Sequence, residues 1–525
     1  MSRTSARFRS KTPPPSGGVH PAPLSLTRRD WWCLGILGGI AGALRFYRLT
    51  EKPLWFDEIG QVLVAQKGLI DMLRGVAGHL SPPLDYAVLH YVIALFGSEE
   101  WVVRAPAALF GVLLVLSLYL LTRSLFDREI AFVSSILVSV SDFHIYYSQE
   151  VRMYSLFALL TVLSIFFFFH FLKRGGTTYF LLWVFSTICL TYTHYFGLLV
   201  LPVQFLYLMA PRAQRGQSVD PWRSVSAAKW CASGFLIISL TFVPWTPVVL
   251  KQAGAKWING PYGLEANWAF LSETFRPFFW LSDFDTSHTI VLLPILGIIL
   301  LGILFFGRQK EHRSTLYLLL LWALVPLGIS FVATILYRSN ATPRNFIFLL
   351  PAYMVLLTLG IVALRRMVAL RFKRNGGLAY GLFLLPASLL VLPALVTYYQ
   401  APTKVNDWRE TAAYLEQHVH SLDAIAFLGD TSHFDHIQYY YNGDKEIILE
   451  SHLRRESVEE YIGSINKCTW IFVPEYGYTK FGKEEMEDVS RVLHENLSVV
   501  KNVYDDNEKD ISGLYHTKEC ARVDH

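Results

Sequence analysis

The stretch "TIVLLPILGIILLGILFF" (residues 289–306) contains no charged side chain. An α-helix needs about 20 apolar residues to cross the roughly 30 Å of hydrocarbon in a bilayer. Comparable runs recur at 110–121, 159–172 and 348–364. Of the 525 residues, 53% are hydrophobic and 17% are charged, whereas soluble domains are about one quarter charged. The composition excludes a soluble globular chain and predicts a mainly α-helical, polytopic membrane protein.

The apolar runs predict about eleven transmembrane helices. They lie near residues 32–49, 101–123, 129–146, 152–172, 178–193, 195–211, 229–250, 289–307, 315–336, 346–364 and 378–398. One further apolar stretch, 82–97, is short and carries Asp85 and His90. It is therefore either a twelfth span or a helix at the membrane surface.

The distribution of basic residues distinguishes these two interpretations, because cytoplasmic loops are enriched in Lys and Arg. With eleven spans and a cytoplasmic N-terminus, 22 of the 34 basic residues before residue 399 lie on the cytoplasmic side. A span at 82–97 would move most of them outside. We therefore expect 82–97 to form an amphipathic helix at the outer surface, within a long first outer loop, 50–100.

Charge and hydropathy divide the chain into three predicted parts. Residues 1–31 are basic and rich in Pro and Ser, which predicts a disordered cytoplasmic tail. Residues 32–398 contain the apolar runs and predict the transmembrane domain. Residues 399–525 hold 24 of the 42 acidic residues but only 13 of the 47 basic ones. With eleven spans and a cytoplasmic N-terminus, this last part is predicted to lie outside.

The sequence of 399–525 alternates between helical and strand-like patterns. "DWRETAAYLEQHV" has helical periodicity, whereas "AIAFLG" and "TWIFVP" are typical of buried strands. The alternation predicts a small soluble extracytoplasmic α/β domain. Cys468 and Cys520 could form a disulfide there if the domain faces an oxidising compartment.

Ionisable residues collect at the outer membrane boundary under this topology. The stretch "KPLWFDEIGQ" (52–61) places two adjacent carboxylates just after the first span. Charged groups at membrane depth are costly and are candidates for function. The candidate site residues are Asp57, Glu58, His79, Glu150, Arg152, His194 and Arg344.

The residue types in this set fit one reaction. A carboxylate near the interface can act as a general base toward a hydroxyl. Arginine and histidine can bind a phosphate group. A lipid phosphate that carries a sugar needs both kinds of group at the water–lipid boundary. The set therefore predicts that an acceptor hydroxyl, deprotonated by a carboxylate, attacks the anomeric carbon and releases an anionic lipid phosphate.

Four motifs in chain order carry a family resemblance: "LWFDE", "HLSPPLDY", "YYSQEVRMYSL" and "TPRNFIFLLPAY". Over roughly 32–400 they resemble the GT-C superfamily of integral-membrane glycosyltransferases. They are most similar to the branch with protein O-mannosyltransferases and lipid A aminoarabinose transferases (glycosyltransferase family 39-like). The resemblance implies a polyprenyl-phosphate sugar donor, a lipid, glycan or protein acceptor, inversion at the anomeric carbon and, often, a soluble outer C-terminal domain.

The resemblance also implies roles for single residues. Asp57 matches the catalytic base, with Glu58 beside it. Glu150 matches a second acidic position, and Arg344 matches an arginine that contacts the donor phosphate.

Three further residues complete the predicted donor-binding set: Arg152, His194 and His79. His79 departs from the family's "HPPL"-like pattern, because two residues separate it from the Pro-Pro pair at 82–83. A divalent metal held by Glu58, His79 and Glu150 is a further possibility, since hard cations bind carboxylate oxygens.

Each candidate also has a structural interpretation. Asp57 or Glu58 would suit the N-terminus of a helix. Glu150 and Arg152 would form an interfacial ion pair. Arg344 would anchor a helix end among lipid headgroups.

Two other functions compete with the glycosyltransferase: a transporter or lipid flippase, and a receptor whose C-terminal domain binds a ligand. Transporters place charges near the midplane and often contain internal repeats. Here the charges lie at one face and no repeat is visible. The glycosyltransferase is therefore favoured, in a plasma (inner) membrane with the bilayer and lipid substrates as partners and no nucleic acid.

Overall fold

A computed structural model of the chain describes most of its residues. They are 26–78, 81–210, 221–256, 268–279, 292–337, 342–372, 391–400, 408–420, 423–428, 431–450, 455–465, 468–473, 491–502, 513–517 and 520. Helices dominate up to residue 400, and a β-sheet follows.

The helices among the described residues up to 400 are numbered α1 to α17. They are α1 (Arg28–Phe46), α2 (Phe56–Ala65), α3 (Leu69–Val76), α4 (Leu84–Phe96), α5 (Glu100–Leu125), α6 (Arg128–Ser139), α7 (Asp142–Ser148), α8 (Tyr154–Arg174), α9 (Thr177–Thr191), α10 (Val200–Met209), α11 (Pro221–Phe242), α12 (Thr246–Lys256), α13 (Trp268–Phe275), α14 (Leu292–Gly307), α15 (Arg313–Tyr337), α16 (Leu350–Phe372) and α17 (391–400). Short 3-10 segments at Tyr195–Leu199 and Pro343–Leu349 lead into α10 and α16.

Several of these helices can cross a bilayer. Within the described part of the chain, five are long and apolar enough, or six if the bent pair α6 and α7 is one span. The five are Glu100–Leu125, Tyr154–Arg174, Ala228–Gln252, Lys310–Leu336 and Pro343–Ala369. A multi-pass membrane protein is therefore supported, and the count of eleven stays a prediction. The helix expected at 82–97 forms as α4.

The break between α6 and α7 is held by an arginine from α1. The two helices meet at a bend of 62°. A break leaves carbonyl groups without helical partners, and inside a membrane these groups need another donor. The buried Arg45 donates to the carbonyl oxygens of Ser139 at 3.0 Å and Val138 at 3.2 Å, and contacts Nδ1 of His144 at 2.7 Å. Arg45 thus supplies donors to the carbonyl groups at the break and joins α1 to α7.

Helices α1 and α5 run antiparallel, so their ends mark opposite ends of the bundle. Where α1 begins, the buried Asp30 pairs with Arg123 at 3.1 Å and Arg128 at 2.9 Å. Where α1 ends, the chain enters the 49–56 loop and then α2. Arg123 and Arg128, two of the basic residues predicted to be cytoplasmic, and the predicted base Asp57 therefore lie at opposite ends.

The C-terminal segment (residues 408–520) combines helices with a five-stranded sheet. Its elements are α18 (Trp408–His418), β1 (Ala424–Leu428), α19 (Thr431–Tyr440), β2 (Ile447–Glu450), α20 (Arg455–Ser464), β3 (Thr469–Val473), α21 (491–496), β4 (Leu497–Asn502) and β5 (Gly513–Thr517). The strand order is β2-β1-β3-β5-β4. Strand β1 pairs in parallel with β2 and β3, whereas β5 pairs antiparallel with β3 and β4.

The sequence patterns of this segment are confirmed where they are described. The helix at "DWRETAAYLEQHV" is α18, and the strands at "AIAFLG" and "TWIFVP" are β1 and β3. Every residue of β1 and β3 is buried, as expected for central apolar strands. A disulfide joins Cys468 to Cys520. The boundary at 399 and a separate domain outside the membrane stay predictions.

Candidate active site

The 49–56 loop joins α1 to α2 and places Asp57 in the first turn of α2. Oδ2 of Asp57 lies 3.0 Å from Nη1 of Arg344 and 4.0 Å from Nε of Arg152. The Asp57 side chain is 23% exposed. One carboxylate and two guanidinium groups, far apart in sequence, thus meet where a substrate can reach them.

Glu58 points into the protein, away from this group. Its Oε1 and Oε2 accept from Nε and Nη2 of Arg104 at 2.9 and 2.7 Å. The same oxygens accept from the backbone N–H of Val151 at 2.8 Å and of Trp55 at 3.2 Å. The side chains of Glu58 and Arg104 are 0% and 1% exposed. These contacts use the acceptor capacity of the carboxylate, so they oppose the predicted catalytic role of Glu58 and favour a structural one.

Arg152 belongs to the 149–153 loop, which is fixed on two sides. Nε2 of Gln149 donates to two carbonyl groups at the end of α1, at 3.0 and 2.8 Å. The N–H of Val151 binds Glu58. Nη1 of Arg152 donates to Oε1 of Gln61 at 3.3 Å, and Nε2 of Gln61 donates to Asp85. The loop therefore holds Arg152 between two carboxylates, Asp57 and Asp85.

Arg344 lies in the 3-10 segment that precedes α16. Its guanidinium group sits over the ring of Tyr154, 5.8 Å from the ring centroid. Its side chain is 33% exposed. A guanidinium group that keeps this exposure while an aromatic ring and a carboxylate orient it can bind an incoming anion.

His194 reaches the same group but is electrically neutral. Burial and the two nearby arginines lower the pKa of His194 to about 3, although a hydrogen bond with Asn345 opposes the shift. Its ring stacks on Phe157 with centroids 4.6 Å apart, and its Nδ1 accepts from the N–H of Phe196 at 3.1 Å. Burial and the two arginines thus disfavour the positive charge predicted for phosphate binding. The contact with Asn345 favours a role in positioning the neighbouring Arg344.

The remaining predictions fall on Glu150 and His79. Glu150 is fully buried, and its carbonyl oxygen accepts from the N–H of Arg152 at 2.7 Å. His79 lies outside the described residues. Within the described residues, no group of three or more His, Cys, Asp or Glu side chains is arranged to hold a metal ion. Since the Glu58 oxygens are occupied, the predicted metal site at Glu58, His79 and Glu150 finds no support there.

The chain is similar in sequence to one protein family and in fold to several solved structures. Residues 81–245 match the family model described as dolichyl-phosphate-mannose-protein mannosyltransferase. None of the curated proteins matches the chain by sequence. Among solved structures, apo ArnT from Cupriavidus metallidurans is similar, with a TM-score of 0.56 and 12% identity over 93% of this chain and 98% of that chain. The fold is that of the GT-C superfamily.

Two more structures share the GT-C fold. ArnT from Cupriavidus metallidurans bound to undecaprenyl phosphate has a TM-score of 0.54 at 12% identity, over 93% of this chain and 98% of that chain. The Archaeoglobus fulgidus oligosaccharyltransferase tethered to an acceptor peptide has a TM-score of 0.52 at 12% identity, over 90% of this chain and 72% of that chain. With the matched family model, they support the branch with ArnT and the protein mannosyltransferases, and a membrane glycosyltransferase.

Four residues in or beside this group were not predicted from the sequence as site residues: Arg104, Gln61, Asp85 and Tyr154. Arg104 lies near the start of the second predicted span, where a charge at membrane depth is itself a signal. Asp85 was visible as a charge in an apolar stretch. Gln61 and Tyr154 are an uncharged amide and one tyrosine among several, so the sequence gives no signal for them.

The raised pKa of Asp85, in the predicted outer loop, predicts a pH-dependent effect on stability. Burial raises the pKa of Asp85 from 3.8 to about 6, although Gln61 and Arg152 favour its charged form. Its contribution to stability is therefore fully present below pH 3.8 and is lost as the pH rises through 6. We expect Asp85→Asn to increase the free energy of unfolding at pH 7.5, by at most about 3 kcal/mol, and not at pH 4. Thermal denaturation in detergent at both pH values measures this difference, and an equal effect at both would contradict it.

Proposed function

We propose that the protein is a membrane glycosyltransferase that moves a sugar from a polyprenyl-phosphate donor to an acceptor hydroxyl. The proposal rests on the contact between Asp57 and Arg344, which are 287 positions apart in sequence and 3.0 Å apart in space. The pair joins a carboxylate that can accept a proton to a guanidinium group that can bind a phosphate, and both are partly exposed.

The reaction is a single displacement. The acceptor hydroxyl gives its proton to the Asp57 carboxylate, and its oxygen forms a bond to the anomeric carbon. The bond from that carbon to the phosphate oxygen breaks, and its electron pair leaves with the polyprenyl phosphate. Arg344 and Arg152 bind this anion, which stabilises the charge that grows on the leaving oxygen. One displacement inverts the anomeric centre.

The choice of donor is supported by proteins of the same fold. One neighbour, ArnT, was solved with undecaprenyl phosphate, and another, an archaeal oligosaccharyltransferase, with an acceptor peptide. A lipid-linked donor also suits a site whose arginines stand at the end of apolar helices. The acceptor is a hydroxyl of a lipid, a glycan or a protein.

We infer that the site faces the outer side of a plasma membrane, with the N-terminus in the cytoplasm. The disulfide between Cys468 and Cys520 supports this orientation, because disulfides persist in oxidising compartments. The ion-paired basic residues at the opposite end of the bundle agree with the enrichment of Lys and Arg on the cytoplasmic side. Residues 399–525 would then lie outside.

Mass spectrometry of lipids that co-purify in mild detergent tests the function. Wild type is compared with Asp57→Asn, and Asp71→Asn serves as the control because Asp71 is an exposed carboxylate in the same predicted outer loop, 50–100. We expect a polyprenyl-phosphate sugar to be enriched on Asp57→Asn, since the donor still binds but is not consumed. Its identity would name the sugar. Enrichment of an unrelated solute or lipid would instead indicate a transporter.

Arg344→Ala is expected to weaken binding of polyprenyl phosphate about 10- to 100-fold, because a charge-assisted hydrogen bond to the phosphate is lost. Arg344→Lys keeps the positive charge but loses the planar guanidinium group. Its affinity for polyprenyl phosphate should therefore lie between that of wild type and that of Arg344→Ala. Titration of the purified variants with undecaprenyl phosphate measures both. Unchanged affinity in Arg344→Ala would remove Arg344 from the phosphate site.

A further inference from the structure

The 49–56 loop, which leads directly into Asp57, is held by side chains from two distant parts of the chain. Backbone polar groups in a buried loop need hydrogen-bond partners. On one side, Arg104 of α5 donates to the carbonyl oxygens of Leu49, Lys52 and Pro53 at 2.9, 2.6 and 2.9 Å. The other side is held by the C-terminal segment.

Two side chains of the C-terminal segment bind the middle of this loop. Arg409 of α18 donates to the carbonyl oxygens of Thr50 at 3.1 Å and Glu51 at 2.8 Å. The hydroxyl of Tyr440, the last residue of α19, accepts from the N–H of Leu54 at 2.7 Å. Each contact fixes a backbone group of the loop, and none depends on the loop's own side chains.

A third side chain binds next to the predicted base. Nε2 of His436 lies 2.8 Å from the carbonyl oxygen of Phe56, the residue before Asp57. A carbonyl oxygen only accepts, so the proton is on Nε2. The rings of His436 and Phe56 also stack, with centroids 4.4 Å apart and planes 7° apart. His436 is buried. The contact therefore fixes the peptide group from which Asp57 projects.

Glu100 connects the two sides. Its carboxylate accepts from the Tyr440 hydroxyl at 2.6 Å and from Nη1 of Arg409 at 3.0 Å. Glu100 is the first residue of α5, and Arg104 lies one turn further along the same helix. Behind these polar contacts, one buried apolar cluster contains Leu54 and Ile59 together with Trp408 and Ile437 of the C-terminal segment. The contact is thus packed as well as hydrogen-bonded.

We propose that Arg409, His436 and Tyr440 are positioning residues of the active site, so that the C-terminal segment keeps Asp57 in place for proton transfer. The inference rests on the proposed function and deepens it. The hydrogen bonds described above join these three residues to the 49–56 loop and to Glu100. Their loss should therefore lower turnover while affinity for the lipid phosphate stays within about twofold, because small displacements of a base lower the rate more than the binding of a substrate.

Tyr440→Phe tests this with a minimal change in packing, and Arg409→Ala tests a second contact. His418→Ala is the matched control, because His418 lies on the same helix as Arg409 and stacks on Tyr414, away from the loop. Hydrogen–deuterium exchange of the full-length protein in detergent reports on the 49–60 region without requiring activity. Undecaprenyl phosphate binding, and turnover with the donor named by mass spectrometry, complete the readouts.

We expect the amides of 49–60 to exchange about 5- to 10-fold faster in Tyr440→Phe than in His418→Ala, since the Leu54 N–H loses its acceptor. Turnover should fall about tenfold with unchanged binding. Exchange equal to that of His418→Ala, or faster exchange with full turnover, would overturn the positioning role. A wild type that transfers no sugar, with faster exchange in Tyr440→Phe, would overturn the proposed function and still support the C-terminal segment as the support of Asp57.

Discussion

Replacing Asp57 with asparagine is expected to lower turnover at least about 100-fold, the usual contribution of a general base. Asparagine keeps the size of the side chain and can still accept a hydrogen bond from Arg344, but it cannot take a proton from the acceptor hydroxyl. Folding and donor binding should therefore change little. The measurement is the rate of sugar transfer from the donor found by mass spectrometry, at saturating donor.

Asp71→Asn provides the comparison for this variant. Asp71 is an exposed carboxylate on α3 that pairs with Arg74, so its loss should leave the rate within about twofold of wild type. Asp57→Asn with more than a tenth of the wild-type rate would show that another group takes the proton. Glu58 would be a poor substitute, because its oxygens already bind Arg104 and two backbone N–H groups.

Arg104→Met is expected to lower the free energy of unfolding by about 3–5 kcal/mol, the cost of leaving one member of a buried ion pair without its partner. The Glu58 carboxylate would remain in a fully buried position. Three carbonyl groups of the 49–56 loop would also lose their donor. The shift of the thermal denaturation midpoint in detergent, at one pH and one lipid content, measures this loss.

Two further variants serve as comparisons for the stability of Arg104→Met. Arg74→Met removes an exposed partner of Asp71 and should cost less than about 1 kcal/mol. The double variant Arg104→Met with Glu58→Met removes both buried charges and should recover part of the stability, because no uncompensated carboxylate is left. If Arg104→Met melted like Arg74→Met, the buried pair would not stabilise the fold.

The class of the protein and most of its helices could be predicted from the sequence, because long apolar runs are a local signal. Asp57 and Arg344 could also be chosen as candidates, since charges at membrane boundaries are rare and the motifs around them are ordered. The structure brings the two within 3.0 Å. The contacts of Glu58 oppose its predicted catalytic role, for a local reason that the sequence contains. Consecutive residues on a helix lie about 100° apart, so Asp57 faces Arg344 and Arg152 while Glu58 faces Arg104.

Other features of the site had no local signal. The protonation of His194 depends on burial and on two arginines that are distant in sequence. The contact between His436 and Phe56 joins residues 380 positions apart. No periodicity or motif reports such a pairing, because it arises only when the C-terminal segment packs against the 49–56 loop. The sequence patterns predicted α18, β1 and β3 of this segment but not this contact.

The distance along the chain between the two halves of this contact has a consequence for biosynthesis. Leu54 and Tyr440 are 386 positions apart. The ribosome makes the 49–56 loop early, together with the first helices, but the side chains that hold it emerge only after the membrane helices have been inserted. A nascent chain released near residue 400 would carry Asp57, Arg152 and Arg344 in a membrane-inserted product whose base is not held in place. If the C-terminal segment positions Asp57 as proposed, such a product would still bind the lipid phosphate but would transfer sugar slowly, so the active site would be complete only once the last quarter of the chain has been made.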